Sequence, residues 1–157
     1  MKFEQLQTLH GSSRLFVYTS TAELSKDYAA DFSLRLDHFI PTWEAHGVKL
    51  NASYVLIANR MLIIAVDERS QTATGCSIDK LTHLLKSESV DWFDRMHIHY
   101  KENGTWQTLH MMDLASKVKS GEISEDIEIL NSTVLTLQDL DENLVQTLKK
   151  SWLNNLL

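Results

Sequence analysis

The sequence predicts an α+β fold with a ferredoxin-like βαββαβ core, and two observations carry this prediction. The first is the order of elements up to Lys101, which reads strand, helix, strand, strand, helix, strand. The second is Asn103-Gly104, the strongest two-residue hairpin signal, which lies between two stretches of alternating polarity. We therefore expect an antiparallel sheet that a C-terminal hairpin and helices extend, in one α+β domain spanning residues 1–157.

The first half of the chain supplies three strands and one helix. Residues 14–18 (RLFVY) are rich in aromatic and branched side chains, which favours a strand. The capping-box pattern at residues 20–23 starts a helix that Pro41 should end, with one further turn closed by Gly47. Two strands follow, VKLNASYVLIA and MLIIAV, and the second is apolar on both faces, as a central strand is.

The second half begins with a helix capped by Ser77, and the hairpin after it has a self-consistent register. Centring the turn on Asn103-Gly104 pairs apolar positions with apolar positions and sets His97 opposite His110. Beyond the hairpin we expect a strand near residues 132–137 and then a C-terminal helix. The apolar stripe of that helix would consist of Leu144, Leu148 and Trp152, at four-residue spacing.

Composition and charge exclude several classes of protein. The formal charge is −6, the pI is about 5.6 and no Lys/Arg cluster occurs, so a nucleic-acid partner is not expected. The longest apolar run, MLIIAV, is too short to span a bilayer, and the start of the chain has no apolar leader. A single cysteine forms neither an internal disulfide nor a multi-cysteine zinc site. These features predict a cytoplasmic protein with no membrane contact and no cofactor.

The expected topology brings two loops to one end of the sheet. In the strand order 4-1-3-2, the loop after the first helix and the loop after the third strand lie together. We expect a ligand or interaction site there, between residues 43–47 and residues 67–79. The candidate binding residues of the two loops are Trp43, His46, Asp67, Glu68, Cys76, Ser77 and Asp79.

The Cys76-Ser77 pair within this region allows three interpretations. A helix N-terminus favours a reactive thiolate and His46 could accept the proton, so Cys76 or the Ser77 hydroxyl could be a nucleophile. Neighbouring carboxylates oppose a thiolate, which favours a ligand or cation site without catalysis. In the third interpretation Cys76 packs as a small apolar side chain and Ser77 caps the helix, and the pattern favours this one.

Three histidines of the hairpin form a candidate metal site. His97 and His99 lie on one face of their strand, and His97 is opposite His110. Three imidazoles could bind zinc or nickel, with water or a carboxylate as the fourth ligand. The alternative is that they are ordinary polar residues on the solvent side of a strand pair. The pattern favours the alternative, because it shows no residues that would orient the imidazoles.

Five segments, taken in order, resemble a known family. They are RLFVY, WEAHG at 43–47, AVDE at 65–68, GCSID at 75–79 and DWFDR at 91–95. Over most of the first hundred residues the chain resembles small uncharacterised bacterial cytosolic proteins that often carry the label "ABC transporter ATPase". The resemblance implies no established activity. ATP hydrolysis is not expected, because a P-loop requires a Gly-Lys pair and the sequence has none.

The sequence therefore predicts a ligand-binding or protein-interaction module whose site lies at residues 43–47 and 67–79. The alternative is an enzyme that uses Cys76 or Ser77 as nucleophile. We also expect a homodimer, because the C-terminal stretch SWLNNLL is rich in apolar side chains and Trp152 lies on an apolar stripe.

Overall fold

The computed structural model describes residues 3–157 and shows an α+β protein with antiparallel sheets. The strands are β1 (Arg14–Thr19), β2 (Glu44–Ala45), β3 (Val48–Lys49), β4 (Asn51–Ile57), β5 (Met61–Asp67), β6 (His97–Glu102), β7 (Thr105–His110), β8 (Glu128–Leu130) and β9 (Val145–Thr147). The helices are α1 (Lys26–Phe39), α2 (Gly75–Lys86), α3 (Leu114–Lys119) and α4 (Leu137–Asn143). No helix within residues 3–157 is both long enough and apolar enough to cross a membrane.

The first sheet has the order β1-β5-β4, and β5 is its central strand, as its unbroken apolar sequence predicts. All seven residues of β5 are buried. One face, with Leu62 and Ile64, packs in a cluster with side chains of α1 and α2. The other face, with Ile63, packs in a second cluster with residues of α4 and of the N-terminal segment. The strand is apolar from Met61 to Val66 because it has a hydrophobic layer on each side.

The second sheet has the order β7-β6-β8-β9 and contains the strand expected as the fourth of the ferredoxin-like core. The order β1-β5-β4 reproduces the 1-3-2 part of that pattern, with β1 antiparallel to β5. β6, however, pairs with β7 on one edge and with β8 on the other, so neither edge is available to β1. An isolated parallel bridge between Thr19 and Phe93 joins β1 to the segment that precedes β6. The fourth position of the predicted order is therefore not confirmed.

Both long helices begin at a different residue from the one expected. The N-cap of α1 is Ser25, whose side chain accepts a bond from the Tyr28 amide. Ser20 is buried instead, and its hydroxyl donates to the backbone oxygen of Arg60. The N-cap of α2 is Thr74, and Ser77 completes a reciprocal capping box three residues later. Sequence patterns show that a cap is near, but nearby hydroxyl residues compete for the position.

The predicted C-terminal strand and helix are wrong. The structure has α4 and β9 in this region, followed by two stretches of 3-10 helix at Leu148–Lys150 and Trp152–Leu156. Leu144 and Leu148 are both buried, but they follow two different elements and pack in two different clusters. The Thr136 side chain accepts a bond from the Asp139 amide and starts α4 earlier than expected. A spacing of four residues can therefore arise without one continuous helix.

Gly47 belongs to a tight hairpin turn and not to a helix end as expected. It follows His46 between β2 and β3, and the two residues have φ angles of 75° and 54°. Two consecutive positive φ angles between paired strands are typical of a type I′ turn. Glycine adopts this conformation without the steric cost that a Cβ brings.

We expect Gly47→Ala to lower the free energy of unfolding by about 1 kcal/mol, because alanine is strained at this φ. Urea denaturation would measure the change. Gly75→Ala is the matched control, since Gly75 begins α2, has no positive φ angle and likewise has open space at the Cβ position. Equal losses in the two variants would contradict the turn assignment.

Candidate functional site

The two loops expected to form a site do meet, and Trp43 joins them. Its indole N–H donates to the backbone oxygen of Ser77 at 2.8 Å, and both residues are only 1% exposed. The indole also packs against Phe16 and Phe39, at centroid distances of 6.2 and 5.6 Å. The junction that the topology predicts is therefore a buried contact made by a core tryptophan.

The carboxylates of the second loop are engaged within the protein. Asp67 forms an ion pair with Arg69, at 2.7 Å, and hydrogen bonds from Arg69 hold the pKa of the Asp67 carboxyl well below its usual range. Glu68 accepts a bond from the Ala73 amide at 2.8 Å. These contacts fold residues 67–73 back toward α2, and they give both side chains a structural role.

Cys76 does not pack as a small core residue, which corrects the favoured interpretation of this pair. It is exposed on α2, while the adjacent Ser77 is buried and occupied in the capping box with Thr74. The reason is that α2 begins at Gly75, so the helix turns Ser77 inward and Cys76 outward. His46 and Asp79 are also exposed. Within residues 3–157 the side chains of Cys76 and His46 make no hydrogen bond, and catalysis at Cys76 stays a prediction.

The hairpin register is confirmed, with His97 opposite His110 and their rings 5.1 Å apart. The third histidine, His99, nevertheless has hydrogen-bond partners of its own. Both ring nitrogens of buried His99 are occupied, one by the backbone oxygen of Ser20 and the other by the Thr108 hydroxyl. In the part of the chain that the structure describes, no group of three or more His, Cys, Asp or Glu residues is arranged to hold a metal ion.

A cavity of about 260 Å³ lies where the two sheets approach each other, and we call it the inter-sheet cavity. Its walls come from three parts of the chain. These are β1, residues 92–99, which lie between α2 and the middle of β6, and several residues from 111 to the C-terminal region. The lining residues are Val17, Tyr18, Thr19, Trp92, Phe93, Asp94, Arg95, His97, Ile98, His99, Met111, Leu130, Ser132, Thr133, Trp152 and Leu153. Elements distant in sequence thus enclose a space bordered by both apolar and polar groups.

Asp94 fixes the conformation of residues 94–97, which form a polar part of the cavity wall. Its carboxylate accepts bonds from the backbone amides of Met96 and His97, and from Nδ1 of His97 at 3.0 Å. A carboxylate only accepts, so the neutral His97 ring carries its proton on Nδ1. The Nδ1 atom of His110 accepts a bond from the Met112 amide, which places the proton of neutral His110 on Nε2. The two adjacent rings are therefore held in opposite tautomers.

Two residues that line the cavity, Tyr18 and Arg95, have side-chain polar groups without a partner among the described residues. Tyr18 is half-buried, its ring packs edge-on against Phe93, and its hydroxyl makes no hydrogen bond to residues 3–157. Burial raises the pKa of Tyr18, while the charges of Arg95 and Arg14 act in the opposite direction. Arg95 forms no ion pair with any carboxylate of the described residues.

Sequence reasoning missed this cavity. The segment DWFDR contains Asp94 and Arg95, but it entered only through the family resemblance and received no role. The signal available was the run of aromatic, acidic and basic residues between a helix and a strand, a place where binding residues are frequent. Tyr18 and Trp152 line the same cavity as this segment, but they are too distant from it in the sequence for a local pattern to connect them.

Comparison with family models found no match to this chain. Comparisons with curated proteins and with solved structures likewise found none.

Proposed function

We propose that this protein is a ligand-binding module whose binding site is the inter-sheet cavity. The observation that carries the proposal is that Tyr18 and Arg95, whose side-chain polar groups have no hydrogen-bond or ion-pair partner within residues 3–157, both line one partly apolar space. Binding sites for small molecules have this composition: mostly apolar walls with a few polar groups that orient the ligand. The volume equals that of about nine molecules of liquid water, which suits a ligand with a single ring.

The cavity supports binding better than the loops at residues 43–47 and 67–79 do. In those loops Trp43, Asp67, Glu68 and Ser77 are satisfied by other parts of the protein, so no ligand is needed to complete their contacts. In the cavity, Tyr18 and Arg95 lack such contacts with any of residues 3–157. For half-buried Tyr18 this lack is costly unless water or a ligand completes its hydroxyl, and exposed Arg95 has donors available to an anion.

Screening a library of single-ring organic molecules by thermal shift and ligand-observed NMR tests the proposal. We expect Thr133→Phe, which places a ring at the cavity wall, to weaken binding of every hit at least tenfold. Thr72→Phe is the matched control, because Thr72 is exposed and does not line the cavity. Hits that bind both variants equally, or no hits at all, would overturn the proposed site.

We also propose that β1, β4 and β5 with α1 and α2 form a variant of the ferredoxin-like pattern, in which the fourth strand has moved to the second sheet. Kinship with the small bacterial proteins that the sequence resembles is a proposal of the same kind. We propose a cytoplasmic location as well. The exposed free thiol of Cys76 supports it, because reducing compartments keep such thiols reduced.

We further propose a homodimer. The exposed apolar side chains of Trp152, Leu156 and Leu157 near the C-terminus support it, and analytical ultracentrifugation would detect it.

A further inference from the structure

We infer that the ligand of the inter-sheet cavity is a small monocarboxylate with an aromatic or aliphatic body, anchored by the Arg95 guanidinium and the Tyr18 hydroxyl. This inference rests on the proposed function and specifies its ligand class. It follows from the charge, the hydrogen-bond inventory and the apolar walls of the cavity.

Arg95 supplies a cationic group that is exposed to solvent. It lines the cavity directly beside Asp94, yet it forms no ion pair within residues 3–157. Asp94 makes no salt bridge with Arg95, because both Asp94 oxygens accept bonds from its own segment and the side chain is only 8% exposed. A guanidinium presents paired N–H donors that match the two oxygens of a carboxylate.

Tyr18 supplies a second donor in the same wall. Burial raises the pKa of its phenol, so the hydroxyl keeps its proton at neutral pH and can donate to an anionic oxygen. Tyr18 and Arg95 both line the cavity, and the charge of Arg95 lowers the pKa of the phenol against the effect of burial. Two donors without acceptors among residues 3–157, one of them cationic, suit an anionic oxygen pair.

The other residues that line the cavity determine the apolar body of the ligand and its number of charges. Phe93, Ile98 and Leu153 give the cavity apolar surface, and Trp152, 40% exposed, stands at its border. An aromatic ring or short aliphatic chain gains the most from such surroundings. The Asp94 carboxylate in the polar wall would repel a second negative charge, so a dianion such as a phosphate monoester fits less well than a carboxylate.

The test compares benzoate, phenylacetate and 3-phenylpropionate with the corresponding neutral amides. Titrations followed by ligand-observed NMR and by backbone amide shifts of the protein give the affinities. We expect at least one acid to bind the wild-type protein about tenfold or more tightly than its amide, because charge-assisted hydrogen bonds are roughly twice as strong as neutral ones.

Three variants separate local recognition from general electrostatics. Arg95→Met should weaken acid binding about tenfold and Tyr18→Phe several-fold, while amide binding stays unchanged, because each substitution keeps most of the apolar contact. Lys80→Met is the control, since it removes the same charge from exposed α2 away from the cavity and should leave both affinities unchanged.

The outcomes distinguish this inference from the function on which it rests. Acids and amides that bind equally, with Thr133→Phe still blocking both, would overturn the carboxylate anchor and leave the binding cavity intact. Equal weakening of acid binding by Arg95→Met and Lys80→Met would also overturn the anchor, because it would show only long-range charge. Absence of binding by every acid and amide, together with an empty library screen, would remove the proposed function itself.

Discussion

Trp43→Ala is expected to lower the free energy of unfolding by about 4 kcal/mol, which is a large part of the stability of an ordinary domain. The indole is 1% exposed and packs against Phe16 and Phe39, so its removal leaves a cavity between the first sheet and the end of α1. The substitution also removes the hydrogen bond to Ser77, whose buried backbone oxygen then lacks that donor.

Urea denaturation followed by circular dichroism would measure this loss. Trp43→Phe separates its two parts, because it keeps most of the ring and removes the N–H donor, and we expect it to cost about 1–2 kcal/mol. Trp152→Ala is the control for loss of a tryptophan as such, since Trp152 is 40% exposed and should contribute about 1 kcal/mol or less. A Trp43→Ala loss no larger than that of Trp152→Ala would contradict the role of Trp43 in joining the loops.

The position of Trp43 also shows what sequence reasoning can reach. Element order alone predicts that the loop holding Trp43 meets the loop before α2, and the contact with Ser77 bears this out. The order says nothing of which side chains will be buried there. Trp43 was expected to bind a ligand between residues 43–47 and 67–79, and the structure shows its indole buried in the contact between these loops.

Local patterns predicted the β6–β7 hairpin and the central strand well because the determinants of both are local. Asn103-Gly104 fixes the turn between β6 and β7, and with it the pairing of His97 with His110. The apolar run of β5 likewise identified the central strand. In both cases a few adjacent residues contain the information that the structure uses.

The partners of β6 could not be predicted in the same way. A strand of alternating polarity is compatible with several neighbours, and the choice depends on β8, a strand of three residues with almost no sequence signal of its own. The inter-sheet cavity depends on that choice, because pairing of β6 with β8 draws the second sheet together beside β1. The cavity was therefore missed for the same reason as the strand order.

His99 illustrates a role that the hairpin pattern concealed. Its exact partner across the strands is Thr108, as the register predicts, but the ring is only 2% exposed. Arg60 donates to the Thr108 hydroxyl, the hydroxyl donates to Nδ1 of His99, and Nε2 of His99 donates to the Ser20 backbone oxygen. This chain of bonds ties the two sheets together through a neutral imidazole.

We expect His99 to make the protein sensitive to mild acid. Burial, and then the charge of Arg60, lower the pKa of His99 to about 4 in the folded state, against roughly 6.5 in the unfolded chain. Between these values the unfolded state binds the extra proton, so stability falls as the pH is lowered through this range. The shift corresponds to a loss of about 3 kcal/mol between pH 7 and pH 4.

The pH dependence of His99→Gln would isolate this contribution. Glutamine can donate to the Ser20 oxygen and accept from Thr108 but does not titrate, so the variant should lose about 3 kcal/mol less than the wild type when urea denaturation is compared at pH 7 and pH 4. His83→Gln is the matched control, because His83 is exposed on α2 and its replacement should leave the acid sensitivity of the wild type. If His99→Gln kept the full acid sensitivity, the imidazole would be protonated at no extra cost in the folded protein. The bond from the Thr108 hydroxyl to Nδ1 would then not be the arrangement that holds the sheets together.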